Sequence, residues 1–428
     1  MSYKRLQFLF FVFCFLWFFL LDYIIKAGPL STLAVYSNYF LYVLLSLQLL
    51  FLYSKRSSFF GGKKLYRAFK STSLVLLSYL FYAFLQLLIN PELSDLAYFR
   101  QNYSVVLPSF ALAFLLGLQG RIAGLNKDRI IKALFMVMGL VIVYSETLGS
   151  SIDGSGIGGD VRSGGVFDQA NNYGYFLALF SLICVLDLIG FFRIFKIKPI
   201  SVLVYFISIG LIVKTGSYGS LIVALSLGLY LSFNFLKGLN TWRTLSFLAF
   251  VAILPVVLVI YSQTIESNRS RALGNLLVGG SQNDISDEST FALRFLLINE
   301  GINSFLDDPF FGKGLTGRRV SVNGRRVPVH NVFIVELLKG GIIGLLMILL
   351  LYFNIWRVLR RLLDKEARRV GTALIIYMFL IDNTLTYPSF LSMNSGVIAL
   401  ALIFILVYQE HQFKFAKPIL RGAQYHAK

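Results

Sequence analysis

Apolar blocks of about 17–22 residues recur along the chain, separated by short polar or basic segments. A helix of that length crosses a bilayer, and a lipid-embedded segment must pair its backbone groups internally. The blocks predict helices at 6–25, 34–53, 72–90, 103–119, 130–147, 170–191, 199–214, 219–236, 243–262, 331–353, 370–388 and 394–409. We therefore predict an all-α, polytopic membrane protein with about 12 transmembrane helices, forming one integral membrane domain over residues 1–428.

One segment between the blocks, residues 263–330, is much longer than the others. It starts polar and rich in turn residues, and it then carries a mixed apolar pattern at 291–306. Leu297, Ile298 and Phe305 can share a stripe with Leu293, which predicts an interfacial helix. We expect one large extracytoplasmic loop that contains this helix.

Composition supports the membrane interpretation. The chain is 57% hydrophobic and 14% charged, whereas soluble domains average about 25% charged residues. Lys4 and Arg5 precede a first block without a small-residue cleavage site, so we expect a first helix and not a removed signal peptide. Cys14 and Cys184 both fall in apolar blocks, which indicates neither a disulfide framework nor a cysteine metal site.

The net charge of +19 would suggest nucleic acid in a soluble protein. Most of the 40 Lys and Arg residues, however, fall in alternate loops, which the positive-inside rule assigns to the cytoplasm together with both termini. We therefore predict no nucleic-acid partner. The long outer segment nevertheless carries its own basic residues: Arg269, Arg271, Arg294, Lys313, Arg318, Arg319, Arg325 and Arg326.

His330 lies directly before a predicted helix, and the other two histidines, His411 and His426, lie near the C-terminus. A neutral imidazole can take a proton from a hydroxyl, and the free N–H groups of a helix start, at Asn331, favour an anion. The alternative is a histidine that caps the helix or lies among lipid headgroups.

Arg162 and Arg294 are candidates for binding phosphate, because guanidinium groups bind it bidentately and stay charged. Either could instead bind a lipid headgroup or an acidic neighbour. Polar residues that include Gln169 and Asn172 follow Arg162 at the opening of a helix, which favours a wet cavity.

Lys214 ends one predicted helix and Tyr218 lies in the tight turn after it. Lys214 is a further candidate for the anion, or a lysine that extends to the membrane interface. Glu336 and Lys339 are three residues apart on one helix face and can form an ion pair.

The sequence gives no indication of several common kinds of functional site. Metal-ligand spacing, a phosphate-binding glycine loop and a Ser-His-Asp pattern are not seen, and no cytoplasmic domain is present for a nucleotide sugar. We therefore expect neither a metal ion nor a cofactor.

Four motifs in order carry a family resemblance. They are VRSGGVFDQANNYGYFLALF, KTGSYGSLIVALSLGL, RFLLINEGINSFLDDPFFGKGL and PVHNVFIVELLKGGIIGLL. Together, over about residues 160–350, they resemble the O-antigen ligase and O-antigen polymerase superfamily of bacterial envelope glycosyltransferases. Tyr218 stands where the family's turn carries an arginine.

The resemblance implies a glycan donor on undecaprenyl diphosphate, used at the outer face of the bacterial cytoplasmic membrane. It implies that Arg162 and Arg294 bind the diphosphate and that His330 deprotonates the acceptor. The predicted binding surface also includes Lys214, Tyr218, Arg325, Arg326, Asn331, Gln169 and Asn172. A flippase and a chain-length regulator are possible partners, with membrane lipids around the chain.

Three functions stay open at this point. A polymerase would extend lipid-linked repeat units of an O-antigen, capsule or exopolysaccharide, and we place it first. A ligase would transfer the glycan to lipid A core. A transporter of lipid-linked sugars could use the same arginines without chemistry, although repeat symmetry with broken helices near the midplane is not apparent.

Overall fold

The computed structural model describes residues 63–89, 106–122, 126–147, 151–152, 162–163, 170–235, 290–315, 319–322, 325–362, 364–384 and 395–408, together with isolated positions. Its helices are α1 (Lys63–Ile89), α2 (Val106–Ile122), α3 (Lys127–Thr147), α4 (Ala170–Leu188), α5 (Lys198–Lys214), α6 (Tyr218–Phe235), α7 (Thr290–Asp307), α8 (Val332–Leu359), α9 (Lys365–Asp382) and α10 (Ser395–Tyr408). Two antiparallel hairpins pair β1 (Ser151–Ile152) with β2 (Arg162–Ser163), and β3 (Arg319–Val322) with β4 (Arg325–Pro328).

Four helical segments of the described residues are long and apolar enough to cross a membrane: Lys70–Leu88, Lys127–Thr147, Ala170–Leu188 and Val332–Leu359. Shorter apolar helices cover Val106–Leu118, Gly219–Asn234 and Ser395–Tyr408. These helices support the prediction of an all-α membrane protein. The predicted helices at 6–25, 34–53 and 243–262 lie outside the described residues, so the number of crossings and the cytoplasmic side of the termini stay predictions.

Several helices extend beyond their predicted ends into segments that were expected to be basic loops, and three of these extensions are the longest. α1 begins at Lys63 and not at 72, α8 continues to Leu359, and α9 begins at Lys365 and not at 370. Lysine and arginine are good helix formers, so basic residues prolong a helix where it leaves the apolar block. The Asp364 side chain caps α9 by accepting a hydrogen bond from the Glu366 N–H at 2.9 Å.

Helix α4 lies at the centre of the described bundle, with every side chain from Tyr173 to Leu188 buried. It packs on α5 and on α6, and Gly174 permits the second contact because a Cβ there would meet the Ser217 Cβ at 2.9 Å. The start of α4 meets the ends of α3, α5 and α9 and the start of α6. The described bundle therefore brings the polar ends of several helices together at one end.

The described part of the long loop folds against the start of α8. A small core joins α7, the second hairpin and α8 through Leu297, Val320, Val329, Val335 and Leu338. The hairpin was not predicted. In strand β3 valines alternate with polar residues, and an Asn-Gly pair lies between β3 and β4. Both features are typical of a β-hairpin.

Part of the predicted apolar stripe of α7 packs against other parts of the protein. Leu297 is buried, and Phe305 packs on the small core. A different stripe is exposed, in which Phe295, Ile302 and Leu306 are 71%, 43% and 65% exposed. Large apolar residues therefore lie on more than one side of α7, and the interfacial position of this helix stays a prediction.

Helix α8 is interrupted at Gly341, whose φ of 58° lies in the left-handed region. The turn after α7 fills the interruption. The Lys313 N–H donates to the Leu338 carbonyl at 2.7 Å, and the Ile342 N–H donates to the Pro309 carbonyl at 2.9 Å. The turn thus pairs backbone groups that the interruption leaves without helical partners.

A buried ion pair lies just before the interruption. Lys339 Nζ lies 2.6 Å from Glu336 Oε1, as the spacing of the two residues predicted. The Tyr79 hydroxyl donates to Glu336 at 3.1 Å, and Lys339 donates to the Tyr103 hydroxyl at 3.2 Å. The pair therefore ties α8 to α1 and to Tyr103, the residue three positions before α2.

Candidate active site

His330 is half-buried and immediately precedes the N-cap of α8. Burial lowers the pKa of its imidazole below the ordinary value of 6.5, and the positive charge of Arg294 lowers that pKa further. Both causes disfavour the imidazolium ion. At neutral pH the ring is therefore present as the uncharged base.

Arg294 belongs to α7, which lies along the first turns of α8. Gly301 makes this close approach possible, since a Cβ at Gly301 would lie 2.5 Å from the Ile334 Cγ2 atom. The small core of Leu297, Val329 and Val335 holds the two helices together. Arg294, 36 positions before His330 in the sequence, thus lies near enough for its positive charge to lower the pKa of His330.

Asn331 is the N-cap residue of α8. Its side-chain oxygen accepts hydrogen bonds from the Phe333 and Ile334 N–H groups at 3.0 and 3.2 Å. Its amide donates to the Asn383 side-chain oxygen at 3.2 Å. The predicted binding residue Asn331 therefore fixes the helix start beside His330 and links it to the end of α9.

Three residues near this place were not singled out as site residues from the sequence: Tyr175, Asn383 and Thr384. Arg294 interacts electrostatically with the Tyr175 phenol. The Tyr175 hydroxyl is hydrogen-bonded to the Thr384 hydroxyl, and Asn383 neighbours Thr384 in the chain. The polar Asn-Thr pair at the end of an apolar helix was a signal that could have found two of them.

Lys214 has a partner within the protein. Its ammonium group lies 2.6 Å from Glu146 Oε2, and the Tyr173 hydroxyl donates to Glu146 Oε1 at 2.8 Å. Lys214 remains more than half exposed. The charge of Lys214 is thus offset by a carboxylate, which weakens the case for a diphosphate contact.

The remaining predicted site residues are described only in part. Arg162 pairs with Ile152 in the first hairpin, and Arg325 and Arg326 pair with Val322 and Ser321 in the second. Tyr218 is the first residue of α6. The orientations of these four side chains, like the whole of Gln169, lie outside what the structure describes.

Asn172 is half-buried near the start of α4. Its side-chain oxygen is shielded from solvent and has no hydrogen-bond partner among the described residues. Such an oxygen usually has a partner. Asn172 therefore stays a candidate for binding a polar ligand.

In the described part of the chain, no group of three or more His, Cys, Asp or Glu residues is arranged to hold a metal ion.

Comparison with known proteins gives one informative result. Residues 203–349 match the family model described as O-antigen ligase. A search of curated proteins finds no match. The matched region runs from α5 into α8 and contains Arg294 and His330, and it confirms that this chain resembles the O-antigen ligase and O-antigen polymerase superfamily.

Proposed function

We propose that the protein transfers a glycan from undecaprenyl diphosphate to an acceptor hydroxyl at the outer face of the bacterial cytoplasmic membrane. One observation carries the proposal: the half-buried His330 lies at the start of α8 against the helix that carries Arg294, inside the region that matches the O-antigen ligase family. A neutral base beside a fixed guanidinium suits a reaction in which a hydroxyl attacks and an anion leaves.

In the proposed reaction the acceptor oxygen forms a bond to the anomeric carbon of the donor glycan. The bond from that carbon to the diphosphate oxygen breaks, and undecaprenyl diphosphate leaves with the bonding electrons. The acceptor proton passes to His330. The diphosphate is already a good leaving group, so the reaction needs no nucleotide sugar and no further co-reactant.

The guanidinium group of Arg294 is suited to stabilising the diphosphate as it leaves. A guanidinium donates two parallel hydrogen bonds to phosphate oxygens and keeps its charge at all relevant pH values. Negative charge grows on the diphosphate as the bond breaks, so a fixed cation stabilises the transition state more than the ground state. We propose Arg162 as the second such group, because its segment opens α4 beside Asn172.

The exposed face of α7 fits a site at the membrane surface. Phe295, Ile302 and Leu306 are exposed on this helix, and Phe310 and Phe311 are exposed in the turn that follows it. In an interfacial helix such a face lies in the outer leaflet. The arrangement would keep Arg294 at headgroup depth, where a lipid diphosphate is found.

We place polymerisation of a surface polysaccharide ahead of ligation to lipid A core. The test uses purified protein in liposomes with lipid-linked repeat units as the sole sugar source and with a chelator present. A polymerase should release undecaprenyl diphosphate and produce a ladder of longer lipid-linked chains. Product that appears only after lipid A core is added would identify a ligase instead.

One control variant, together with a transport assay of this variant and the unchanged protein, separates these activities from transport. The His330→Ala variant should bind lipid-linked repeat units without forming product. If both proteins instead move the repeat unit across the bilayer without forming a glycosidic bond, the transfer proposal is wrong and the protein is a transporter.

A further inference from the structure

The first segment of α8, residues 332–340, folds back along the segment that follows the interruption. A Cβ at Gly344 would lie 2.8 Å from the Glu336 carbonyl oxygen, whereas these positions of a continuous helix are about 12 Å apart. The Phe333 and Tyr352 ring centroids are 6.4 Å apart, against about 28 Å along a continuous helix. The start of α8 therefore lies beside the middle of the same helix.

The last turn of α9 packs on this folded start of α8. The Phe333 and Phe379 ring centroids are 4.9 Å apart, and the Tyr352 and Phe379 rings meet edge to face at 6.0 Å. The Tyr352 hydroxyl donates to the buried Asp382 carboxylate at 2.6 Å. The end of α9 thus contacts both segments of α8.

A side-chain hydrogen bond joins the cap residues of these two helices. The amide of Asn331, the N-cap of α8, donates to the side-chain oxygen of Asn383, the C-cap of α9, at 3.2 Å. The Asn331 oxygen is already engaged by N–H groups of α8. The Asn383 amide nitrogen donates to the Phe379 carbonyl at 2.8 Å. Because the other end of each amide is engaged, the orientation of both side chains is fixed.

The end of α9 is itself attached to α4. The Tyr377 hydroxyl donates to the Tyr175 carbonyl at 2.6 Å. The Tyr175 hydroxyl is hydrogen-bonded to the hydroxyl of Thr384, the next residue after Asn383. These two bonds lie on either side of Asn383 in the sequence, so α4 fixes the part of α9 that binds the start of α8.

His330 lies between two residues that are each held by another helix. Val329 is fully buried in the small core with α7, the helix that carries Arg294. Asn331, on the other side, is bound to Asn383. The backbone of His330 is therefore fixed relative to α7 through one neighbour and relative to α9 through the other.

We infer that Asn383 is a positioning residue, which holds His330 in place for transfer by fixing Asn331 at the start of α8. The inference rests on the proposed function, in which His330 takes the proton of the acceptor hydroxyl. A general base must lie within hydrogen-bond reach of the proton that it removes, so the position of the ring affects kcat. Asn383 lies beyond the matched family region, which ends at residue 349.

A spectroscopic test of this inference does not depend on catalysis. In full-length protein with His411→Gln and His426→Gln, His330 is the single histidine. Isotope-labelled histidine then gives NMR signals from this ring alone, recorded at a pH where the ring is uncharged. The protein with Asn383 intact should give one sharp ring signal, and Asn383→Ala should broaden or split it, because the start of α8 is released from α9.

Asn331→Ser breaks the same bond from the other side. Serine still caps a helix, but its side chain is too short to reach Asn383. This variant should also broaden or split the His330 signal, and it replaces Asn383→Ala if that variant does not fold. Adding Asn383→Ala to Asn331→Ser should change nothing further, because both substitutions remove the same hydrogen bond.

Asn354→Ala is the matched control variant. Asn354 also belongs to α8, and its side-chain oxygen accepts a hydrogen bond from the Ser71 hydroxyl of α1 at 2.8 Å. The substitution therefore removes an interhelical hydrogen bond of the same kind at a different place on α8. It should lower the unfolding temperature as Asn383→Ala does, and it should leave the His330 signal unchanged.

The kinetic effect should fall on kcat. In a protein that transfers glycan, Asn383→Ala should lower kcat by about 10-fold to 100-fold, since a misplacement of about 1 Å can cost 10²-fold. The donor KM should stay close to that of the unchanged protein, because Asn383 is not assigned a contact with the donor. Asn354→Ala should keep both values.

The outcomes separate the positioning inference from the proposed function. In a protein that transfers glycan, a folded Asn383→Ala variant with an unchanged His330 signal or a normal kcat would overturn the inference and leave the proposed function intact. The same change of signal in Asn354→Ala would also overturn it, because any loss of stability would then have this effect. If the signals change as expected but the unchanged protein transfers no glycan, Asn383 still positions His330 and the proposed function is wrong.

Discussion

Lys339 Nζ lies 2.6 Å from Glu336 Oε1, and both side chains are almost fully buried. Removing water from two charges is costly, and the pair offsets that cost only while both partners are present. Its contacts to Tyr79 and Tyr103 extend the pair into a small polar network beneath the proposed site.

Replacing one partner of this pair should destabilise the protein strongly. Glu336→Gln leaves the Lys339 charge buried without its counter-ion, at a cost of about 3–5 kcal/mol. Thermal unfolding of the detergent-purified protein measures the loss. The double variant Glu336→Gln/Lys339→Met should recover most of it, and a double variant less stable than the single one would contradict this account.

Gly341→Ala should lower stability because position 341 has a left-handed φ of 58° and because the Phe310 backbone occupies the space of a Cβ. We expect a loss of at least about 1–3 kcal/mol. Gly210→Ala on α5 is the matched control, since a Cβ there meets nothing within 4 Å. Equal unfolding temperatures for the two variants would show that the interruption in α8 is not needed for stability.

His330→Ala should lower the transfer rate by about 10²–10⁴-fold, the range that general base catalysis usually contributes. Arg294→Lys should retain part of the activity, because it keeps the charge and loses the planar fork. Arg319→Ala, at an exposed arginine of β3, should behave like the unchanged protein. Activity with lipid-linked repeat units is measured alongside the unfolding temperature, and normal rates in folded His330→Ala would remove His330 from the reaction.

The pH dependence should show a base with a low pKa. Burial and Arg294 both lower the pKa of His330 below 6.5, so the ring stays deprotonated until the pH falls below that value. The acid limb of the kcat/KM profile should therefore have its midpoint below pH 6.5 and should not respond to Arg294→Lys, which keeps the positive charge. A midpoint at or above 6.5 would contradict the assignment of the half-buried His330 as the base.

Lys214→Met and Glu146→Gln should have similar, small effects. Lys214 is largely exposed, and surface ion pairs contribute about 0–1 kcal/mol. Because Glu146 already binds Lys214, we expect each variant to keep far more activity than Arg294→Ala. If Lys214→Met lost as much activity as Arg294→Ala while Glu146→Gln kept its activity, Lys214 would be assigned to diphosphate binding.

Local patterns in the sequence predicted much of the helical structure. Long apolar blocks predicted α3 to α6 to within a few residues, because each block has the length and the end signals of one helix. The pairing of Glu336 with Lys339 also followed from spacing alone. The interruption at Gly341 did not, since it depends on a turn from elsewhere in the chain that replaces the helical hydrogen bonds.

Individual candidate residues of the site were predictable from the sequence, but the contacts between them were not. Arg294 and His330 stood out by residue type and position as well as by their motifs, and the charge of Arg294 lowers the pKa of His330. The bond between Tyr175 and Thr384 joins residues 209 positions apart. No local pattern carries such a contact, because it is created by the packing of α4 against α6 and α9.

The interruption at Gly341 also bears on how the protein accommodates membranes of different thickness. As a continuous helix, the 28 residues of α8 would measure about 42 Å at a rise of roughly 1.5 Å per residue, well beyond a hydrocarbon layer of about 30 Å. The part after Gly341 measures only about 27 Å by the same rise. Because α8 is already interrupted at Gly341, a change of tilt in the part after Gly341, caused by hydrophobic mismatch, would not require the first turns of α8 to tilt with it.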